Sequence, residues 1–385
     1  MDYEMSNIYI LNQTTDAEIR ELCHALWDWN ACQNCQSLYS CDNAACPWSR
    51  LTSLKTYFDF YKDTTACYAP ETFNPALRSH GDLIAIIRFV RDRPSTRRDD
   101  LVEEYFNSRN EMVQVNEEDK QRAFNIAVRI LLMVSCCADN HSGSLLGDTE
   151  PSVWHRDESL NNFVSATFPK RDHPSQNEDN ISLLSLRQTI RATKLKKIAR
   201  ISFRGTNDIR NHLKLDQTNG VVELYHHTAA LKECLKASKT SANNLASNIF
   251  PRQLLLETID SLERILFPMD NESLSLLRSL VSAESLDPDC QDRRFQSYRL
   301  DHEKETTYNY WGSRLMDLCD EIENPKPRGH FGLWLKANSK DRHVMLAKLV
   351  GISVAILLGI LSLVVGLFQA WVAYEAWKHP VNDSP

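Results

Sequence analysis

Residues Leu349 to Phe368 read LVGISVAILLGILSLVVGLF, twenty positions in a row without a charge. No other stretch restricts the fold as much. A helix rises about 1.5 Å per residue, so such a run reaches about 30 Å, the thickness of a bilayer's hydrocarbon core. Hydrocarbon offers the backbone no hydrogen-bond partner, which predicts a helix that satisfies its own amides. A core helix of a soluble protein is the competing reading, but core helices keep a polar edge over such lengths. The expectation is a single membrane-spanning helix over 349–371.

The flanks agree with that reading. Trp371, Tyr374 and Trp377 follow at intervals of three, so they share a helical face at the depth where amphipathic rings anchor. Lys336, Lys340, Arg342, His343 and Lys348 precede the span, against the single acid Asp341. The positive-inside bias predicts a cytosolic N-terminal body. Only 17 residues follow Phe368, which predicts a tail-anchored arrangement inserted after synthesis. The strongly apolar span and nearly neutral tail (372–385) suit the endoplasmic reticulum better than the mitochondrial outer membrane. Gly351, Ala355 and Gly359 recur every four residues, a spacing that lets two helices approach closely and offers a route to a homodimer.

The remainder reads as a soluble body. Hydrophobic content of 42% and charged content of 25% suit a substantial core. The net charge of −7 argues against a nucleic-acid binder. The chain opens without a basic stretch followed by an apolar one, so no N-terminal targeting signal is expected. Its eleven cysteines are therefore expected to be thiols.

Helical periodicity dominates, and the expected class is mainly α with one small β-hairpin. A Cys-rich helical segment (1–70) begins with a helix over Asp16–Trp29. Cys32, Cys35, Cys41 and Cys46 follow, with Cys23 and His24 upstream and Cys67 downstream. Zinc takes four thiolate or imidazole ligands in a tetrahedron, and the C-x2-C at Cys32 and Cys35 supplies half of one. Cys41 and Cys46 lack the spacing of a second such turn. Small thiols buried under a helical hairpin also account for the pattern, and the spacing favours them over zinc.

A helical domain (71–170) is expected next, with helices starting at Asn74-Pro75, Ser95, Asn116 and Asp157. The charged stretch 171–180 reads as a connector. A second helical domain (181–329) opens with a helix to Arg200. Arg187, Arg191, Lys194, Lys196, Lys197, Arg200 and Arg204 form a basic run, suited to anionic lipid or to pairing with acids elsewhere. The hairpin is expected at 212–225, turning at Thr218-Asn219-Gly220. His226 and His227 diverge from a helix start and make a poor metal pair. Helices over Pro251–Phe267, Ser273–Ser282 and Glu305–Glu323 lead to a juxtamembrane segment (330–348), with an aromatic, lysine-flanked piece around Phe331 to Leu335.

The phrases RAFNIAVRILLMVSC (122–136), LKLDQTNGVVELYHHTAALKE (213–233), PRQLLLETIDSLERILFP (251–268) and ENPKPRG (323–329), with the anchor, together resemble one family. It is a family of uncharacterised filamentous-fungal proteins with a single C-terminal transmembrane helix. The resemblance implies a fungal membrane protein and brings no activity or catalytic residues.

The sequence holds no phosphate loop, nucleophile elbow, zincin helix or dinucleotide turn. Two functions remain. One is a membrane-anchored helical body serving interaction with a cytosolic protein. The other is a membrane-tethered enzyme, zinc-dependent through the N-terminal Cys/His cluster.

Overall fold

The computed structural model describes residues 11–32, 35, 41–70, 74–109, 115–138, 151–170, 189–240, 249–283, 286–292, 297–303, 307–326 and 342–378. The expected connector 171–180, the whole of 327–341 with the piece 331–335, and the last residues of the tail (379–385) lie outside them. The chain divides into two units, 1–325 and 326–385. The class is mainly α: twelve α-helices and two small sheets among the described residues.

In the first unit, α1 (Asp16–Trp27) starts where Thr15 accepts from the Glu18 amide while the Glu18 carboxylate takes the Thr15 amide. This reciprocal pair satisfies two of the amides a helix start leaves open. A 3-10 helix (Pro47–Leu54) runs into α2 (Lys55–Ala66). α3 (His80–Arg91) is capped by Ser79, five residues after Asn74-Pro75, which does not start a helix. α4 (Arg98–Ser108) and α5 (Glu117–Leu132) follow, the latter capped by Asn116 with three acids in its first turn. The positive end of the helix dipole favours those acids. α5 buries Phe124, Val128, Ile130 and Leu132 completely, each contributing about 1.5–3 kcal/mol over exposure.

Met133, at φ 52°, stops α5 in a left-handed cap. Cys136 and Cys137 therefore form a two-residue strand, β1, parallel to β2 (Ser152–Val153), and do not end the helix. α6 spans Leu160–Thr167. Arg98, fully buried, ties this region together. It donates to Gln121 Oε1 (2.9 Å), Asn125 Oδ1 (2.7 Å) and Trp154 O (3.3 Å), with its guanidinium 4.7 Å from the Trp154 ring centre.

α7 is short (Ala192–Lys197), and Arg200 at φ 53° turns the chain out of it. β3 (Ser202–Thr206) then pairs in parallel with β5 (Val221–Tyr225), whose other edge takes β4 (Leu215–Asp216) antiparallel. The hairpin of β4 and β5 closes through Gly220 at φ 66°, a backbone state only glycine adopts without strain. β3 was not expected; its Arg204 had been assigned to the basic run. That run finds acids: Arg191 pairs with Asp270 (3.4 Å), Lys197 with Glu272 and Arg204 with Glu223 (2.6 Å).

α8 (Thr228–Thr240) follows the sheet and packs on α1, so elements from both sides of 171–180 belong to one unit. α9 (Arg252–Asp260) continues into a π turn (Ser261–Leu266), in which the Phe267 amide reaches back five residues to Leu262 O (2.9 Å). α10 (Asn271–Ser282) and α11 (Gly312–Glu323) complete the unit. The expected helix from Glu305 starts at Gly312 because the amides of Asn309, Tyr310 and Trp311 donate to Glu257 and leave helical pairing.

The second unit is α12 (Arg342–Lys378), 37 residues, about 55 Å at helical rise. Its stretch Lys348–Lys378 is long and apolar enough to cross a membrane: its most apolar 18 residues have a mean hydropathy of 2.7, and none of them is buried. A core helix would be covered. Leu358 and Leu361 are about 60% exposed. The helix thus continues beyond both ends of the expected 349–371 span. Trp371, Tyr374 and Trp377 stand exposed, the last two rings 6.4 Å apart.

Candidate metal centre

Asp28, at φ 55°, ends α1 by donating its amide to His24 O (3.0 Å) and redirects the chain. The next described residues carry no helix or strand until Pro47. In this segment Cys32 and Cys35 are joined by a turn, the Cys35 amide on Cys32 O at 3.2 Å. Asn43 bends the chain the other way, accepting the Ala45 amide on its side chain (3.0 Å) and the Cys46 amide on its carbonyl (2.9 Å). Cys46 then precedes Pro47, whose ring suits the first position of the 3-10 helix.

Four sulfurs meet as a result. Cys32 Sγ lies 3.4 Å from Cys35 and 3.5 Å from Cys41, and Cys35 lies 3.5 Å from Cys46. All four sulfurs fall within 4.8 Å of one another. A zinc ion holding four sulfurs at about 2.3 Å sets them about 3.8 Å apart, inside that range. A disulfide would require about 2.05 Å, and every one of these cysteines is a free thiol. Cys35, Cys41 and Cys46 are buried and Cys32 is half-buried. Without metal the Cys35 and Cys41 thiols are driven toward the neutral form. Burial and the neighbouring thiols push Cys35 up to about 12. At Cys41 the Asn43 amide pulls the thiol down, but burial and the Cys32 and Cys46 thiols outweigh it and leave it raised. A divalent cation would displace those protons and balance four thiolates.

The spacing of Cys41 and Cys46 argued against a second knuckle, yet the loop brings both sulfurs to the first one. The wider Cys/His set does not join. Cys23 is buried in α1, Cys67 is exposed and donates to Asp63 O (3.2 Å), and His24 is exposed. Among the described residues, the four cysteines are the one group of three or more metal-ligating side chains brought together.

The centre is fastened at both ends to α8. Trp29, three residues before Cys32, donates its indole N–H to Glu233 (3.2 Å). Arg50, four residues after Cys46, takes the same carboxylate with two nitrogens, at 2.7 and 2.8 Å. Lys236 adds a third donor at 2.7 Å. Burial alone would raise the Glu233 carboxyl, but Arg50 and Lys236 reverse this and hold it below the ordinary range. Trp29 also meets Trp48 edge-on at 5.3 Å and Trp27 at 5.6 Å. Glu233 was not singled out in the sequence; it lies 183 residues from Arg50, and nothing local marks it.

Two other constellations resemble reaction centres and resolve as structure. His212 Nε2 lies 2.7 Å from Ser261 Oγ, both fully buried. The Tyr225 amide donates to His212 Nδ1 (3.2 Å), so the proton sits on Nε2 and points at the serine, whose hydroxyl donates to Thr258 O (2.8 Å). Such a histidine cannot take the serine proton. Burial, with Arg314 nearby, holds it well below its ordinary range and neutral. His226 and His227 stack at 4.5 Å, the first accepting the Asp287 amide (3.1 Å), the second bonded to Asn207 Oδ1 (2.8 Å). Both are structural hydrogen-bonders, His227 buried and His226 half-buried, and their stacking shows that they do not diverge as their sequence position suggested. The cleft lined by Leu26, Trp27, Tyr57, Cys234 and Leu255 holds about 50 Å³, too little for a small-molecule substrate.

Gly351 and Gly359 have open space where a Cβ would stand, so the small-residue face of α12 is clear of its own unit. Comparison with protein-family models, with curated proteins and with solved structures found no match for this chain.

Proposed function

We propose that the chain is a single-pass membrane protein whose helical body faces the cytosol, holds a structural zinc ion and serves protein interaction at that surface. One observation carries the membrane part: a continuous helix over Lys348–Lys378 whose most apolar 18 residues have a mean hydropathy of 2.7, none of them buried. The charges before the span favour a cytosolic body, and the neutral end favours the endoplasmic reticulum. The open face at Gly351, Ala355 and Gly359 fits a second copy of the same helix.

The donor set supports zinc of the structural kind. Catalytic zinc keeps a position for water beside three protein ligands, whereas four cysteines fill the tetrahedron. The zinc-enzyme reading is therefore the less favoured. Metal analysis of the full chain in detergent tests this. About one zinc per chain is expected, falling to near zero in Cys35→Ser and Cys46→Ser and unchanged in Cys67→Ser. A chain purified under reducing conditions that takes up no zinc would sink the metal reading. Protease added outside intact microsomes should digest the body; protection of the body would reverse the orientation.

A further inference from the structure

The four ligands are unequally placed. Cys35, Cys41 and Cys46 are 1%, 9% and 4% exposed, while Cys32 is half-buried. The nearest sulfur to Cys32 is that of Cys35, 3.4 Å away within one turn of chain. Around this pair the described residues from 28 to 46 carry no regular structure. What closes the segment is the sulfur cluster, and what docks it on α8 is the Trp29–Glu233–Arg50 contact at its two ends.

We propose that the centre is an oxidation-sensitive clasp, in which a hydroperoxide oxidises Cys32 and Cys35 to a disulfide, expels zinc and loosens Trp29 and Arg50 from Glu233 of α8. This rests on the zinc reading above. The zinc-bound Cys32 thiolate attacks the O–O bond of hydrogen peroxide, giving a sulfenic acid and hydroxide. The Cys35 thiolate then attacks the Cys32 sulfur, forming the S–S bond and releasing a second hydroxide. Two protons turn the hydroxides into two waters. The balance is two thiolates, one peroxide and two protons to one disulfide and two waters. Zinc left with only Cys41 and Cys46 has lost half its ligands and passes to any competing chelator. The sulfurs must close from 3.4 Å to about 2.05 Å, which pulls the turn tight and moves its flanks. Trp29 and Trp48 sit on those flanks and report the movement.

The test uses the zinc-loaded full chain in detergent on a Cys67→Ser background, which removes an exposed thiol outside the centre. Hydrogen peroxide is titrated in. Released zinc is read with a chromogenic chelator, lost thiols by titration, the new linkage by peptide mass, and the tryptophans by emission. About one zinc is expected per peroxide consumed, with two thiols lost, Cys32 and Cys35 linked, and a red-shifted emission. A dithiol reductant with added zinc should restore the starting spectrum. Cys32→His, which keeps four ligands but removes the first sulfur to react, should retain its zinc through the same titration. Zinc retained by the unsubstituted cluster under a tenfold excess of peroxide would overturn the clasp. So would zinc release with Cys32 absent from any disulfide. A chain carrying no zinc at the outset fails at the earlier step, and the two failures are told apart by the first metal reading.

Discussion

Two arginines at the middle of the apolar helix, Leu358→Arg with Leu361→Arg, are expected to release the chain from membranes. Both positions are exposed and lie three residues apart on one face near the centre of the run. A charge at the centre of a spanning helix costs about 2.5–3.5 kcal/mol on insertion scales, so the pair costs about 5–7 kcal/mol. That turns a strongly inserted helix into one that mostly fails to insert. After alkaline carbonate extraction the unsubstituted chain should stay with the membrane pellet and the double variant should move to the supernatant. Leu358→Ala with Leu361→Ala should behave like the parent. The body is a separate unit, so its zinc content and circular dichroism below residue 325 should not change. If carbonate extracts the unsubstituted chain, the anchor assignment fails.

The largest expected loss of stability within the body comes from Glu257→Ala. Glu257 lies in α9 with no exposed surface, and its two oxygens accept the amides of Asn309 (2.7 Å), Tyr310 (2.8 Å) and Trp311 (2.9 Å). Trp311 opens α11 without a side-chain cap of its own, and a glutamate from another helix takes its amide together with the two amides before it. Each buried amide left without an acceptor costs about 1–3 kcal/mol. With partial rescue by water, the loss should come to about 4 kcal/mol, read as a lower denaturant midpoint of the body. Glu257→Gln keeps one oxygen and turns an NH₂ group toward an amide donor; about half the loss is expected. A midpoint for the alanine variant within about 1 kcal/mol of the parent would mean that these amides do not depend on Glu257.

What could be read from the residues was local. Thr15 with Glu18, Asn116 with its three acids, and Asn219-Gly220 each carry their signal within a few positions, and the structure uses all three. The apolar run needs no partner within the chain to be recognised. The departures come where distant groups decide. Asn74-Pro75 has the chemistry of a helix start, yet Ser79 caps α3. The amides before Gly312 follow Glu257, more than fifty residues upstream. β3 takes its pairing from β5 across the hairpin, which no alternation within Ser202–Thr206 announces. The candidate metal centre divides the same way. Cys32 and Cys35 are visible as a turn, while Cys41 and Cys46 arrive through a bend at Asn43, and Glu233 through α8.

The π turn at the end of α9 accommodates one residue more than an α-helix would over the same rise. The surplus falls at the very end of the helix, where Ser261 meets His212 and Ile265, Leu266 and Phe267 remain inside the core. Because the π turn is what absorbs the surplus, deleting a single position between 262 and 266 would let the coil regularise while the chain after it keeps its place. A one-residue deletion is therefore expected to be better tolerated here than inside α5, where it would rotate one part of the buried face against the other by about 100°.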